Sequence, residues 1–158
     1  MKEAATLLEL LASKGLTLAV AESLTGGRLA DALVSIPGAS RVFAGGAVCY
    51  QTQTKSSVLG VNPHTIDQYS VVSEQVALEM AVGAATKFDA DCAISTTGVA
   101  GPKTDFDPAP VGTVCVGLYY RGNTKTLRLS LDGDREGVRC GAVSSALLAL
   151  YQFVNTIS

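Results

Sequence analysis

Leu16-Thr17-Leu18-Ala19-Val20 runs directly into Ala21-Glu22-Ser23-Leu24-Thr25-Gly26-Gly27, and Arg28 opens a helical pattern that lasts to about Val34. An apolar run, a polar turn with two glycines and then a helix make a strand-to-helix junction, the unit from which α/β sheets are assembled. The junction sets backbone N–H groups and a positive helix end beside two hydroxyls, Ser23 and Thr25. That combination suits an anion or a nucleophilic serine. Ser or Thr ahead of glycine also caps ordinary helices, and this segment alone does not separate the two readings.

Outward from the junction, the same reading predicts an alternation of helices and strands. Residues 3–14 place Ala4, Leu7, Leu8 and Leu11 at helical spacing, with Lys14-Gly15 as the stop. Val42 to Tyr50 reads as a second strand in which Gly45-Gly46 marks a bulge or a close backbone approach. Short helices are expected around Lys55–Leu59 and near 63–69, and Ser73-Glu74 opens an amphipathic helix to about Phe88. Asp91–Thr97 is a third strand, running into Gly98-Val99-Ala100-Gly101-Pro102. Val111–Tyr120 and Thr124–Leu131 flank Arg121-Gly122-Asn123 as an antiparallel hairpin, and a last helix runs from about Asp134 to Phe153. The expected fold is α/β: a mixed sheet with a C-terminal antiparallel hairpin and helices packed on it, one domain over 1–158.

Composition narrows the function. The 158 residues are 47% apolar and 16% charged, which is globular composition, and the formal net charge of −2 argues against coating nucleic acid or anionic membrane. No apolar run approaches the roughly 18 residues that span a bilayer. Met1-Lys2-Glu3-Ala4-Ala5 looks like a helix start rather than a signal peptide, which makes the cytoplasm the default compartment. Cys49, Cys92, Cys115 and Cys140 are widely spaced, with no C-x-x-C and one histidine, His64, in the chain, so no metal site is expected. Cys92 and Cys115 lie in strand-like runs and read as small buried hydrophobes. Cys49, beside Tyr50, is the one cysteine near candidate chemistry.

Polar groups collect at the strand ends: Ser23 and Thr25 after the first, Tyr50 and Lys55 after the second, Thr96-Thr97-Gly98 after the third. Ligands of open α/β sheets bind outside such ends. With a single histidine, a Ser-His-Asp triad requires His64 to face Ser23. Lysine is the other base that activates a serine, once burial lowers its pKa, and Lys55 stands in an otherwise uncharged stretch. The bland reading of Lys55 is an exposed first-turn lysine, and spacing does not decide. Gly98 and Gly101 suggest a loop that approaches a ligand or supplies oxyanion N–H donors, or simply a tight turn. At the last helix, Asp134 is a plausible N-cap. Arg135 and Arg139, four apart, share a face that could clamp a phosphate, although Arg135 also reads as solvated helix charge.

Taken together, A-E-S-L-T-G-G at 21–27, Y-x-x-x-x-K at 50–55, T-G-V-A-G-P at 97–102 with P-V-G-T-V at 110–114, and G-D-R-x-x-V-R at 133–139 closely resemble the CinA C-terminal family, whose known activity is nicotinamide-nucleotide amidase. The match covers essentially the whole chain, in the family's order and at its approximate spacing, and looks like the stand-alone form. The resemblance implies hydrolysis of the carboxamide of nicotinamide mononucleotide (NMN) by a serine–lysine amidase that uses no metal and no cofactor. Ser23 would be the nucleophile, Lys55 its base, and Tyr50 an assistant through hydrogen bonding. Thr25, Gly26 and Gly27, with Thr97, Gly98, Ala100 and Gly101, would supply oxyanion donors and substrate contacts. A helix N-terminus with Arg139 nearby would take the phosphate. It also implies a homodimer acting on a small pyridine mononucleotide, with neither nucleic acid nor membrane as partner.

Two segments depart from the family's pattern. Where members commonly carry a Gly-Gly-Ser-rich stretch and a Lys-Pro, this chain has Lys103-Thr104-Asp105-Phe106-Asp107-Pro108-Ala109-Pro110; after the tyrosine, Gln51-Thr52 replaces Ser-Asn. Asp105 and Asp107 add negative charge to a loop expected near a phosphate. Alternatives to NMN hydrolysis are therefore an amidohydrolase for another amide and a nucleotide-binding module without turnover.

Overall fold

The computed structural model describes residues 1–104 and 107–157. In chain order these form α1 (Lys2–Ser13), β1 (Leu18–Glu22), α2 (Arg28–Val34), β2 (Phe43–Val48), α3 (Thr52–Leu59), α4 (Pro63–Tyr69), α5 (Glu74–Lys87), β3 (Cys92–Gly98), β4 (Thr113–Tyr120), β5 (Asn123–Ser130) and α6 (Arg135–Ile157). The expected mixed sheet is present, in the order β2-β1-β3-β4-β5. β1 pairs parallel with β2 and β3, and the hairpin β4–β5 adds antiparallel beyond β3. Opposite Leu18 and Ala19 the register jumps from Phe43 to Gly45, so Ala44 is the extra residue of a bulge where the paired glycines suggested one.

Strand side chains alternate between faces, and the two faces carry different residues. Leu18, Val20, Cys92, Ile94, Val114, Val116 and Leu118 point into a large core shared with α1, α2 and α6. Ala19, Ala21 and Ala93 point the other way, against Met80, Ala81 and Ala84 of α5 and Leu59 of α3. β1 is buried along its whole length, which explains its unbroken apolar reading. The small residues on the second face let α5 sit close to the sheet. Ser73 caps α5, its hydroxyl accepting from the Val76 N–H at 3.2 Å.

α6 extends four residues beyond its expected end at Phe153, to Ile157. With a mean hydropathy of 1.3 it is the one helix among the described residues long and apolar enough to cross a membrane by length and composition. Its apolar side, Val138, Ala142, Val143, Ala146, Leu147 and Leu150, is spent against the sheet and α1. That packing buries 39% of the helix's apolar stretch.

α3 is held at a set distance by one glycine. A Cβ at Gly83 of α5 would run into the backbone carbonyl of Leu59 at the end of α3. Gly83→Ala therefore has to push α3 outward, and an overpacked contact of this kind costs about 1–3 kcal/mol. The expected result in urea denaturation is a loss of that size, with a larger loss for Gly83→Val.

Candidate active site

The site is assembled where β1, β2 and β3 end. Ser23 follows β1 immediately, and its N–H donates to the Thr96 carbonyl at 3.1 Å, extending the parallel ladder by one bond. The chain then turns tightly: the Gly26 N–H donates to Ser23 O at 3.1 Å, and Gly26 and Gly27 take φ of +57° and +102°. Side chains other than glycine rarely adopt that region, which is why the motif ends in two glycines. The turn leaves Ser23 8% exposed, with its hydroxyl on the wall of a cavity of about 590 Å³.

Lys55 reaches the serine from α3. The end of β2 is shorter than the sequence suggested, because the Cys49 and Tyr50 carbonyls turn off the ladder to face the ammonium. Lys55 Nζ lies 2.8 Å from Cys49 O, 3.1 Å from Tyr50 O and 2.9 Å from Ser23 Oγ. The side chain is 1% exposed. It is a buried lysine, not the solvated first-turn lysine. Burial, which disfavours the charged form, pulls its pKa down from 10.5 to about 8. Charged, Nζ donates to the two carbonyls and to Ser23 Oγ; once deprotonated it keeps two N–H groups for the carbonyls and has a lone pair for the Ser23 O–H.

Behind the serine stands a buried carboxylate that the sequence reading did not assign. Glu22, 1% exposed, accepts from Gly27 N at 3.2 Å and Leu29 N at 2.9 Å through Oε1, and from Ala30 N at 3.0 Å through Oε2. The amides at the start of α2 are thus satisfied by the chain itself, and this helix end does not offer them to a substrate phosphate. Thr25 is fully buried, its hydroxyl 2.8 Å from that of Thr96. Arg139 donates from Nε to Leu24 O at 2.8 Å and from Nη2 to Thr25 O at 3.2 Å. Thr25, Gly26, Gly27 and Arg139 therefore buttress the serine turn from behind and do not line the cavity, contrary to the substrate-contact role expected for them. Glu22→Ala would orphan three amides, and we expect it to cost about 2–4 kcal/mol in denaturant unfolding.

The front of the cavity is closed by other groups. Thr97, Gly98, Ala100 and Gly101 line it as expected. The Thr97 hydroxyl donates to Val71 O at 3.0 Å, tying in the segment between α4 and α5. Arg135, at the first position of α6, donates from Nη1 to Gly101 O at 2.6 Å and from Nη2 to the Tyr50 hydroxyl at 3.2 Å. It is exposed at the start of the helix, as a solvated helix charge would be, and it also lines the cavity. Tyr50 meets the dyad through its main-chain carbonyl, while its phenol, on a residue 59% exposed, meets Arg135. Asp134 caps α6 as expected, accepting from Gly137 N at 2.8 Å.

Among the described residues, few amides at the cavity are left without a protein partner. Gly26 N and Val99 N are used on Ser23 O and Thr113 O. The amides of Leu24, Ala100 and Gly101 make no hydrogen bond to another described residue, and all three residues line the cavity. Leu24 was not singled out in the sequence; its position directly after Ser23 was the available signal. Cys49 is 1% exposed, and burial pushes its thiol pKa up, against the opposing pull of Lys55, so it is packing rather than a nucleophile. His64 is exposed on α4 and does not line the cavity. Of the two carboxylates in the divergent loop, Asp105 lies outside the described residues, and Asp107 accepts from Val72 N at 3.0 Å and Ala109 N at 2.9 Å.

The model of the CinA C-terminal domain family matches residues 1–154. The chain belongs to that family. A competence-damage inducible protein of Clostridium kluyveri is 45% identical over 138 residues, 87% of this chain and 34% of its own length. A CinA-like protein of Dictyoglomus thermophilum is 42% identical over 139 residues, 88% of this chain and again 34% of its own. The chain thus spans about a third of these CinA relatives. Solved CinA structures superpose over nearly their full length. Competence damage-inducible protein A from Klebsiella pneumoniae has a TM-score of 0.94 and 36% identity, covering 98% of this chain and 96% of that one. A CinA superfamily protein from Escherichia coli has a TM-score of 0.93 and 38% identity, covering 96% and 88%.

Proposed function

We propose that this CinA-family chain hydrolyses the carboxamide of NMN, giving nicotinic acid mononucleotide and ammonia, through a Ser23–Lys55 dyad. The observation that carries the reading is the 2.9 Å contact between a buried Lys55 Nζ and Ser23 Oγ at the wall of a cavity of mononucleotide size. Neutral Lys55 takes the hydroxyl proton as Ser23 Oγ attacks the amide carbon. The oxyanion that forms is met by the amides of Leu24, Ala100 or Gly101; removing one such donor costs on the order of 100-fold or more in rate. Lys55 passes the proton to the amide nitrogen, ammonia leaves, and an acyl ester remains on Ser23. Water then attacks the ester with Lys55 again as base, releasing the carboxylic acid and restoring the serine.

For the phosphate, Arg135 and Lys103 are the cations on the cavity wall besides the catalytic lysine, and the uncapped first turn of α3 at Gln51-Thr52-Gln53 adjoins them. In this reading Arg135 and Lys103 take the place of Arg139, whose guanidinium bonds Leu24 O and Thr25 O. Arg135→Ala is accordingly expected to raise KM for NMN about tenfold or more with a smaller change in kcat. Ammonia release from NMN by the purified protein tests the whole reading. Sustained turnover supports it, and a folded protein that releases no ammonia from NMN overturns it.

A further inference from the structure

The divergent loop adds something the dyad does not need. Among the described residues lining the cavity, Asp107 is the sole carboxylate, set against the cations Lys55, Lys103 and Arg135. Its two oxygens each accept one backbone N–H, from Val72 and Ala109, which fixes where the carboxylate stands and leaves further lone pairs on both. No lysine or arginine pairs with it among the described residues. Its neighbours on that wall, Val71, Val72 and Pro108, are apolar and suit the face of a flat ring. Arg135 belongs to a different wall, the one made by Tyr50 and Gly101. Positive charge comes from Arg135 at the Tyr50–Gly101 rim and from Lys103 on Asp107's own loop, and Asp107 is the charge that backbone hydrogen bonds hold beside the apolar Val71 and Val72.

Resting on the amidase reading, we infer that Asp107 is a specificity-determining residue: it makes the site select an amide carried on a positively charged ring, such as a quaternised pyridinium, over a neutral ring of the same shape. Negative charge held beside an apolar, partly dewatered surface attracts a ring cation more strongly than it would in open solvent. A neutral ring gains nothing from it.

The test compares NMN with benzamide riboside monophosphate, which keeps the amide, ribose and phosphate on an uncharged ring. Dissociation constants and kcat/KM are measured for both with wild type, Asp107→Asn and Asp107→Glu. Wild type is expected to favour NMN about tenfold or more, Asp107→Glu to keep that preference, and Asp107→Asn to lose it through weaker handling of NMN alone. Equal affinity of wild type for the two ligands overturns the inference, as does a proportional loss for both in Asp107→Asn, the pattern of a purely structural loop anchor. If Asp107→Asn fails to fold, Asp107→Ser, whose hydroxyl can still accept a backbone N–H without charge, takes its place with the same expected loss for NMN alone. A wild type that binds NMN selectively but releases no ammonia leaves Asp107's role standing and removes the amidase reading instead.

Discussion

Ser23→Ala is expected to lower ammonia release from NMN by at least roughly a thousandfold while leaving substrate affinity and the fold nearly unchanged. The separation is built into the geometry. The main-chain N–H of Ser23 belongs to the ladder with Thr96, and its carbonyl to the turn with Gly26, and neither depends on the side chain. Only Oγ faces Lys55, and no other described group replaces it there. Losing one hydrogen bond to the lysine should change stability by about 1 kcal/mol. Steady-state kinetics with a parallel urea melt gives both halves of the result. Turnover that survives the substitution would mean that Lys55 activates water directly and that no acyl ester forms on Ser23.

The contrast between Ser23 and its neighbours shows what the sequence could carry. The strand, the turn and α2 were legible because periodicity changes within a few residues and two glycines sit where φ must be positive. The sheet followed from the same alternation, and the hairpin from Arg121-Gly122-Asn123. Burial of Lys55 was not legible. It depends on where β2 stops, on the carbonyls of Cys49 and Tyr50 turning inward, and on α3 closing over the end of β1, and none of these leaves a local pattern. Two arginines on one face of α6 made a similar ambiguity. Arg135 opens the helix and reaches outward to Gly101 and Tyr50, whereas Arg139, one turn further in, lies over the serine turn and is used up on Leu24 and Thr25. Helical spacing puts both on one face but does not say which end of that face meets the cavity. Glu22 was hidden in a different way, since a carboxylate at a strand end reads as solvent-facing until the amides it satisfies are folded around it.

Lys55→Met is expected to reduce turnover to a similar or greater extent than Ser23→Ala, and Lys55→Arg not to restore it, because a guanidinium stays protonated and cannot accept the serine proton. On the proposed mechanism Lys55 is competent as a base only when neutral. With its pKa drawn down to about 8, kcat/KM for NMN should rise with pH and level off above that value. The same displacement has a signature in stability, and its sign is fixed. The folded value of about 8 lies below the ordinary value of 10.5, so between the two the unfolded chain holds more protons than the folded one. Wild-type stability relative to Lys55→Met should therefore rise as pH climbs through this window, by up to about 3 kcal/mol in total, and be flat below it, where the lysine is charged in both states. Urea denaturation of both proteins at about pH 7 and about pH 10 measures the difference. A difference that stayed constant, or fell, would mean that Lys55 is an ordinary ammonium held by two carbonyls and a hydroxyl. The serine would then have no base within reach, since the remaining cavity-lining cations, Arg135 and Lys103, make no contact with Ser23 Oγ.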